Sequence, residues 1–593
     1  MTTTEERTGS TTGPGRRRDR RPPWARALRR YGPVTSVVAL IAGAVVIFGG
    51  GDGDGGGDGD GAAAAGDGGV PPMEELIRSG PMTPQKAELE GIDPDEIDWG
   101  PNCDTERGTI KLVSVYAPPC VEPFEGDNGG ATSPGVTADE IKIVQYQSDP
   151  ALDPLTAATI SQAGADVDPE SARRTTQAYV DLYNALFETY GRTVVVEHYT
   201  GTGAGDDVEK ARADAMAIAE MEPFAVIGGP AQASSVFAAE LASRGIVCGP
   251  GCATALPEHI VEENAPYLWQ ALQTPDQGVV AASRAIGNYA GPGKAELAGD
   301  PAMRERDRVY AIVHYDNASG DHQPVFEKFV DELAEYGIEP AIDVEFTLDL
   351  SRAQENARTN ISRLKEAGVT TIIYYGDPIT PSSLTAEATA QDYWPEWILG
   401  PSLLMDTTIF GRLTDGQQWR NGFGVSTNPA RTEFEQMDSF RIYEWAYGEP
   451  PPNNNARVIE PPIRTMFTGI HMAGPNLTPE TFRDGMWRTP PAGGGPTTPH
   501  VSRGDHGIWP GVDWGGNDDG TLIWWDPEAV GEDEVGNVGV GMYRYANGGE
   551  RFLPDERPAS LEEVGLFDVE SSVTVYDEVP EEDRVPDYPP PQL

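Results

Sequence analysis

Short apolar runs alternate with longer amphipathic segments between about residues 135 and 429. Runs rich in β-branched and aromatic residues are typical of strands, and apolar residues spaced by three or four are typical of helices. The predicted strands cover 141–147, 193–199, 224–228, 245–248, 308–315, 342–346, 370–375 and 397–399, and the clearest helices cover 170–190, 208–222 and 323–336. Because these spacings leave room for crossovers of a dozen or more residues, the pattern predicts an α/β fold of mostly parallel sheets flanked by helices.

The N-terminal region has the composition of a membrane anchor. Residues 1–33 carry nine arginines and three acids, and residues 34–48 are uncharged and mostly apolar. We therefore expect a basic cytoplasmic head (1–33), a single transmembrane anchor (34–50) and an extracytoplasmic body, because basic residues favour the cytoplasmic side of a membrane helix. A cleaved signal peptide is the alternative. Residues 51–69, mostly glycine and aspartate, predict a flexible linker.

Charge and motif content narrow the classes of function. The chain has 94 acidic and 43 basic residues, a formal net charge of −51. Such a balance argues against a nucleic-acid partner, whose phosphates require lysine and arginine. Neither a Gly-x-Ser-x-Gly nor a His-Glu-x-x-His motif occurs, and the seven histidines are scattered. We therefore predict no enzyme activity, no metal site and no cofactor.

The four cysteines fall into two local pairs, Cys103 with Cys120 and Cys248 with Cys252. Four cysteines allow three connectivities. A body outside the cytoplasm permits oxidation, and local pairing is then the simplest arrangement. No histidine stands at ligand spacing from either pair, so two structural disulfides are favoured over a zinc site.

Residues 223–235, with the sequence PFAVIGGPAQASS, have the features of a ligand-binding turn. A buried strand ends at Gly228 and Gly229, and small polar residues then open a helix. Ligands of open α/β sheets collect beyond the carboxyl ends of strands, and the backbone N–H groups at a helix start suit an anion. Gln232, Ser234 and Ser235 add hydrogen-bonding side chains, although ordinary helix capping explains such residues equally well.

Several segments, in their order along the chain, resemble one family of binding proteins. These segments are GVTADEIKI (135–143), 208–223 followed by VIG (226–228), IIYYGD (372–377) and 466–485 with HMAGP. They resemble the leucine/isoleucine/valine-binding branch of the type 1 periplasmic-binding fold, the solute-binding proteins of ABC importers. The resemblance spans about 135–486. It implies two lobes joined by a hinge that close on a small ligand.

The resemblance and the composition together predict the domain organisation. Lobe 1 is expected at 135–272 and 397–485, and lobe 2 at 275–395. Composition adds a proline-rich extension (70–134), a tryptophan-rich, strand-poor C-terminal extension (486–579) whose tryptophans are expected to be buried, and an acidic tail (580–593) that is expected to be disordered.

The resemblance also implies positions for a ligand's charged groups. A ligand carboxylate would meet Gln232–Ser234 on one turn, and Ala253 and Thr254 on the next. The position that holds an ammonium-binding glutamate in the family is Ser402, and Asp377 or Asp406 are the nearest substitutes, unless they cap helices. The predicted ligand-binding residues are Gly228, Gly229, Gln232, Ser234, Ser235, Ala253, Thr254, Asp377 and Ser402.

These observations predict an extracytoplasmic solute-binding protein. It would capture a small polar ligand, amino-acid-like or carboxylate-bearing, between its lobes and deliver it to an ABC permease. An anchored ligand sensor, or an envelope interaction protein that uses the same fold without transport, is the alternative.

Overall fold

The computed structural model describes residues 70–153, 157, 161, 166–253, 255–316, 320–347, 351–401 and 404–593. The helices and strands given below all lie in the compact unit formed by 66–348 and 353–593. The predicted cytoplasmic head, membrane anchor and linker (1–69) lie outside the described residues, so they stay predictions.

The extension that precedes the first lobe is held by short elements and a disulfide. Its elements are α1 (Met73–Ser79), α2 (Pro84–Glu90), a 3-10 turn (Pro94–Glu96) and the antiparallel pair β1 (Cys103–Asp104) and β2 (Thr109–Ile110). Cys103 is bonded to Cys120 and packs with Trp99 in a small apolar cluster. Leu112 and Val113 belong to the core of the first lobe, so the extension is part of that lobe's surface layer.

The first lobe is built on a four-stranded sheet in the order β4-β3-β5-β6. In chain order its elements are β3 (Glu140–Gln147), α3 (Pro169–Leu186), β4 (Thr193–Thr200), α4 (Val208–Ala219), β5 (Ala225–Ile227), α5 (Ser234–Ser243), β6 (Val247–Cys248) and α6 (Glu258–Glu263). All neighbouring strands are parallel. Helices supply the crossovers that the sequence spacing predicts.

The second lobe carries the larger sheet, in the order β13-β12-β11-β10-β9-β7-β8 with β14 beside β12. Its first part, in chain order, is α7 (Pro275–Ala290), α8 (Pro301–Arg304), β7 (Tyr310–Tyr315), α9 (Gln323–Glu335), β8 (Ile342–Phe346), α10 (Ala353–Glu366), β9 (Thr371–Tyr375), α11 (Thr380–Ala390), β10 (Glu396–Leu399), α12 (Thr408–Gly411) and β11 (Phe423–Ser426). These strands run parallel to one another.

Helices cover both faces of this second sheet. Ile312 and Ile373 pack with residues of α7 and α9, whereas Val313 and Tyr374 pack with residues of α10 and α11. Successive side chains of a strand point to opposite faces, so adjacent residues enter different clusters. The predicted α/β class with helix-flanked, mostly parallel sheets is confirmed.

The chain then returns to the first lobe and goes back to the second. The remaining elements are a 3-10 turn (Phe434–Gln436), α13 (Asp438–Tyr447), α14 (Ala456–Ala473), α15 (Pro479–Arg488), β12 (Gly520–Glu532), β13 (Val538–Tyr545), a 3-10 turn (Ala546–Gly549), β14 (Arg551–Phe552) and a last 3-10 turn (Glu581–Asp583). Helices α13–α15 join the core of the first lobe. Strands β12 and β13 extend the second sheet as antiparallel strands.

Three sequence-based boundaries differ from the structure. The segment 397–485 is divided, because β10 and β11 pair in the second sheet and only the helices after them pack in the first lobe. The extension 486–579 is not strand-poor, since it contains the long β12–β13 hairpin, although its tryptophans are buried as expected. The tail 580–593 is ordered: Asp583 is buried, and the Tyr588 hydroxyl donates to Asp104.

Candidate functional site

The carboxyl edge of the first sheet meets the carboxyl edge of the parallel strands of the second sheet. Ser235, in the first turn of α5, donates its hydroxyl hydrogen to Asp321 Oδ2 at 2.7 Å. Helix α5 follows β5 of the first sheet, and Asp321 lies between β7 and α9 of the second. Both residues therefore lie just beyond the carboxyl ends of strands, where α/β sheets bind ligands. We call the space between these edges the interlobe cleft.

The glycine turn after β5 is packed closely against its neighbours. Gly228 has a φ of 72°, and a Cβ there would lie 2.5 Å from the Tyr146 carbonyl oxygen. A Cβ on Gly229 would lie 2.0 Å from the Cys252 carbonyl oxygen. Larger side chains do not fit these contacts, so both glycines are required to bring the turn against β3 and the loop after β6.

The start of α5 is not capped by a side chain. Its N-cap residue is Ala233, whose side chain has no acceptor. The backbone N–H groups of Gln232 and Ala233 donate instead to the Gly205 carbonyl, at 3.0 and 2.8 Å. Ser234 and Ser235 are buried beneath the turn, and Gln232 is half-buried. The N-terminal end of a helix carries a partial positive charge that suits an anion.

A second loop lies beside this turn. Cys248 and Cys252 form a disulfide, as predicted, and the carbonyl of Cys252 contacts Gly229. Ala253 is buried behind the disulfide loop. Thr254 lies outside the described residues. The structure thus places two predicted ligand-binding loops side by side at the edge of the first sheet.

Asp377, on the second lobe, has a structural role in capping α11. Its Oδ1 accepts hydrogen bonds from the backbone N–H groups of Ile379 and Thr380, at 2.8 and 2.9 Å. Its Oδ2 accepts from the Thr380 hydroxyl at 2.7 Å. The sequence left this capping role open beside a ligand contact, and the ligand contact stays a prediction. Ser402 lies outside the described residues.

Two tyrosines at strand ends of the second sheet were missed by the sequence analysis. Tyr315 ends β7 and Tyr375 ends β9. The pKa of Tyr315 is raised to about 12. Burial has the largest effect, and the carboxylates of Asp377, Asp316 and Asp206 add to it. Asp206 belongs to the first lobe, so its influence on Tyr315 reflects the closeness of the two edges. The Tyr375 hydroxyl is buried without a hydrogen-bond partner among the described residues.

The position of these tyrosines is a signal that could have identified them. Each is the last residue of a buried parallel strand, where the side chains of a sheet reach its ligand-binding edge. Strands β7 and β9 both contain further aromatic or β-branched residues, so composition alone did not distinguish Tyr315 and Tyr375 from the core residues of the same strands.

The described part of the chain contains neither a metal-binding cluster nor a membrane-spanning helix. Among these residues, no group of three or more histidines, cysteines, aspartates or glutamates is arranged to hold a metal ion. No helix within the described ranges is both long and apolar enough to span a membrane.

Comparisons with known proteins identify similar structures but no sequence relatives. No family model and no curated protein matches the chain. A fatty acid ABC transporter substrate-binding protein from Thermomonospora curvata is 15% identical, covers 75% of this chain and 100% of its own, and has a TM-score of 0.49. A leucine-, isoleucine-, valine-, threonine- and alanine-binding protein from Brucella ovis is 12% identical over 71% of this chain and 97% of its own, with a TM-score of 0.48.

A third similar structure is a solute-binding protein of an ABC transporter from Rhodopseudomonas palustris, in complex with 3,4-dihydroxybenzoic acid. It is 14% identical over 70% of this chain and 98% of its own, with a TM-score of 0.44. These three similar structures are substrate-binding proteins of ABC transporters.

Proposed function

We propose that this protein is an extracytoplasmic solute-binding protein that captures a small polar ligand in the interlobe cleft and delivers it to an ABC permease. The observation that supports this function is the meeting of two carboxyl edges, with a tight glycine turn and an uncapped helix start on one side. Such an arrangement offers the positive end of a helix to a small molecule from one lobe and a closing surface from the other.

The proposed location rests on the cysteines and on the N-terminal composition. All four cysteines are in disulfides, which persist in oxidising compartments. We include in the proposal that residues 34–50 anchor the protein with its N-terminus in the cytoplasm. Cleavage of this segment as a signal peptide would release the same body on the same side of the membrane.

The ligand-binding residues belong to the same proposal. Gly228 and Gly229 shape the first turn, and the Gln232 side chain and the positive end of the α5 dipole attract an anion. Ser235 acts mainly by joining the lobes, through its bond to Asp321. Ala253, Thr254, Asp377 and Ser402 complete the set that the resemblance implies. No catalytic step is assigned to any of these residues.

A ligand screen tests the proposal directly. The purified protein is heated with amino acids, aromatic acids, fatty acids, sugars and polyamines, and the melting temperature is recorded for each. A ligand present at one hundred times its dissociation constant adds about 2.7 kcal/mol to the free energy of unfolding. Stabilisation by one chemical class supports solute binding and identifies the class. A flat response from well-folded protein would favour a sensor or envelope role without a small-molecule ligand.

A pair of glycine variants tests whether the ligand sits at the turn. Gly228→Ala places a Cβ at a positive φ and against the Tyr146 carbonyl, so we expect a shifted turn and at least tenfold weaker binding. Gly448→Ala is the matched control, because Gly448 has a φ of 73° and no atom within 4 Å of the added Cβ. Equal affinities in the two variants would remove the turn from the ligand site.

A further inference from the structure

Helix α14 runs outward along the edge of the first sheet. A Cβ on Gly249, the first residue after β6, would lie 2.5 Å from Met466 Sδ, and one on Gly251 would lie 3.0 Å from Pro462. The helix begins at Ala456, so Arg457 lies five residues before Pro462, about 7.5 Å further along the axis. Arg457 therefore lies beyond the carboxyl edge of the first sheet, on the side of the second lobe.

Arg431 approaches the same place from the other side. It lies in the segment that leads from β11 of the second sheet to α13 of the first lobe, and it is only 4% exposed. Its Nη1 donates to the carbonyl of Glu532, the last residue of β12 before the β12–β13 connection. Its Nη2 and Nε make no hydrogen bond to the described residues, although Nε lies 3.6 Å from Glu534 Oε1.

The two acids of that connection already have other partners. Glu534 accepts hydrogen bonds from the backbone N–H groups of Thr408 and Ile409, at 2.7 and 2.9 Å, at the start of α12. Asp533 pairs with Arg412 at 3.2 Å. Arg457 has no hydrogen bond or ion pair to any described residue, and its Nε is buried.

Charged groups of both signs surround Arg457. Burial lowers its pKa, Glu534 raises it, Arg431 lowers it, and Tyr545 and Asp533 raise it, which places these groups within electrostatic range of Arg457. Burial also raises the pKa of Asp406, and Glu534 raises it further, which weakens Asp406 as a counter-charge. An arginine keeps its proton in a protein, so the guanidinium of Arg457 is charged and lacks a protein partner.

A buried guanidinium N–H group without an acceptor, as at Arg431 Nη2 and Arg457 Nε, is unfavourable unless an anion joins it. A guanidinium binds a carboxylate through two parallel hydrogen bonds, which fits the unused N–H groups of both arginines. We propose that Arg457 and Arg431 bind the carboxylate of the captured solute, so that the ligand is a small organic anion. This inference rests on the proposed function and specifies its substrate class and two further binding residues.

Matched acids and amides test the inference on the wild-type protein. The probes are benzoate with benzamide, succinate with succinamide, leucine with leucinamide, and decanoate with decanamide, each measured by thermal shift and calorimetry. We expect at least one acid to bind at least tenfold more tightly than its amide, because only the acid pairs with the guanidinium groups. Binding only of amides, sugars or amines would overturn the inference while leaving solute binding in place.

Variants of Arg457 test whether this residue causes the preference for acids over amides. Arg457→Gln should weaken binding of the acid about 10- to 100-fold, and Arg457→Lys should retain part of the affinity because it keeps the charge but loses the planar fork. The control is Arg420→Gln, since Arg420 is exposed and pairs with Glu528 on the surface. Unchanged acid affinity in Arg457→Gln would overturn the inference.

A stability measurement separates a binding role from a structural one. Arg457 has no hydrogen bond or ion pair to a described residue, so Arg457→Gln should melt at nearly the same temperature as wild type without ligand. A large loss of stability in Arg457→Gln and Arg457→Lys alike would show a structural role and overturn the inference. If no probe of any class binds the wild-type protein, both this inference and the proposed function fail. That result differs from the binding of non-acids alone, which overturns only the inference.

Discussion

His471 shows how burial sets the charge of a single residue. Its Nδ1 accepts a hydrogen bond from the Glu188 backbone N–H at 2.8 Å, and its Nε2 lies 2.9 Å from the Pro119 carbonyl, to which it donates. This pattern requires the neutral ring, because a protonated ring has no acceptor. Burial accordingly lowers the pKa of His471 to about 4.

The first prediction concerns stability in acid. The folded-state pKa of His471 lies below the unfolded value near 6.5, so its contribution is complete above pH 6.5 and is lost as the pH falls towards 4. The loss is about 3 kcal/mol, since one pKa unit corresponds to about 1.4 kcal/mol. Chemical denaturation at several pH values should show a stability difference between wild type and His471→Gln that narrows by this amount between pH 7 and 4.

The control for this prediction is His259→Gln, because His259 is exposed in α6. The free energy of unfolding of His259→Gln should depend on pH in the same way as that of wild type. If the free energy of unfolding of His471→Gln falls with decreasing pH as steeply as that of wild type, His471 does not cause the loss of stability in acid.

At the same scale, the sequence identified the glycine turn and the disulfide cysteines but not the arginines. Gly228 and Gly229 interrupt a strand, and local cysteine pairs are visible in the spacing. Arg431 and Arg457 are 26 positions apart and resemble any surface arginine in the sequence. Only tertiary packing shows that one is buried and that both lie near Glu534.

At the scale of elements, the C-terminal tail is the largest departure from expectation. Its acidic, proline-rich composition is typical of disorder. In the structure Asp583 Oδ2 accepts hydrogen bonds from the backbone N–H and hydroxyl of Thr497, at 2.7 and 2.6 Å, and Oδ1 accepts from the Thr498 hydroxyl. These polar contacts, together with the packing of Val585 and Tyr588 against the core of the first lobe, fix the segment, and composition does not reveal them.

The second prediction follows from this contact. Asp583→Ala leaves Thr497 and Thr498 donors without their acceptor, so the free energy of unfolding should fall by about 2 to 3 kcal/mol. Limited proteolysis should also cut 584–593 faster in this variant. Asp587→Ala, a change at an exposed position of the same tail, should alter neither measurement. Comparable behaviour of the two variants would favour the original expectation of a disordered tail.

At the scale of the whole molecule, the contact between Ser235 and Asp321 joins the two lobes. The bond is 2.7 Å long and links the start of α5 in one lobe to the loop before α9 in the other. Because a ligand in the cleft binds both lobes, any contact between them also favours the closed arrangement and raises ligand affinity.

The third prediction tests this coupling. Ser235→Ala should weaken ligand binding about fivefold, since one hydrogen bond contributes about 1 kcal/mol, and should raise the radius of gyration of the ligand-free protein. Ser243→Ala is the control, because Ser243 is exposed near the end of the same helix and donates to Glu240 within it. If neither quantity changes in Ser235→Ala, the bond does not contribute to closure.

The sequence by itself determined what depends on neighbouring residues. Alternating periodicity specifies parallel strands joined by helices, glycines specify the turn after β5, and short separations specify both disulfides. Tertiary structure decided what depends on distant pairing. It placed β10 and β11 in the second sheet, added β12 and β13 to that sheet, and brought Arg431 and Arg457 within electrostatic range of Glu534. A strand's local pattern is the same in either sheet, so only the packing of the whole chain selects its partner.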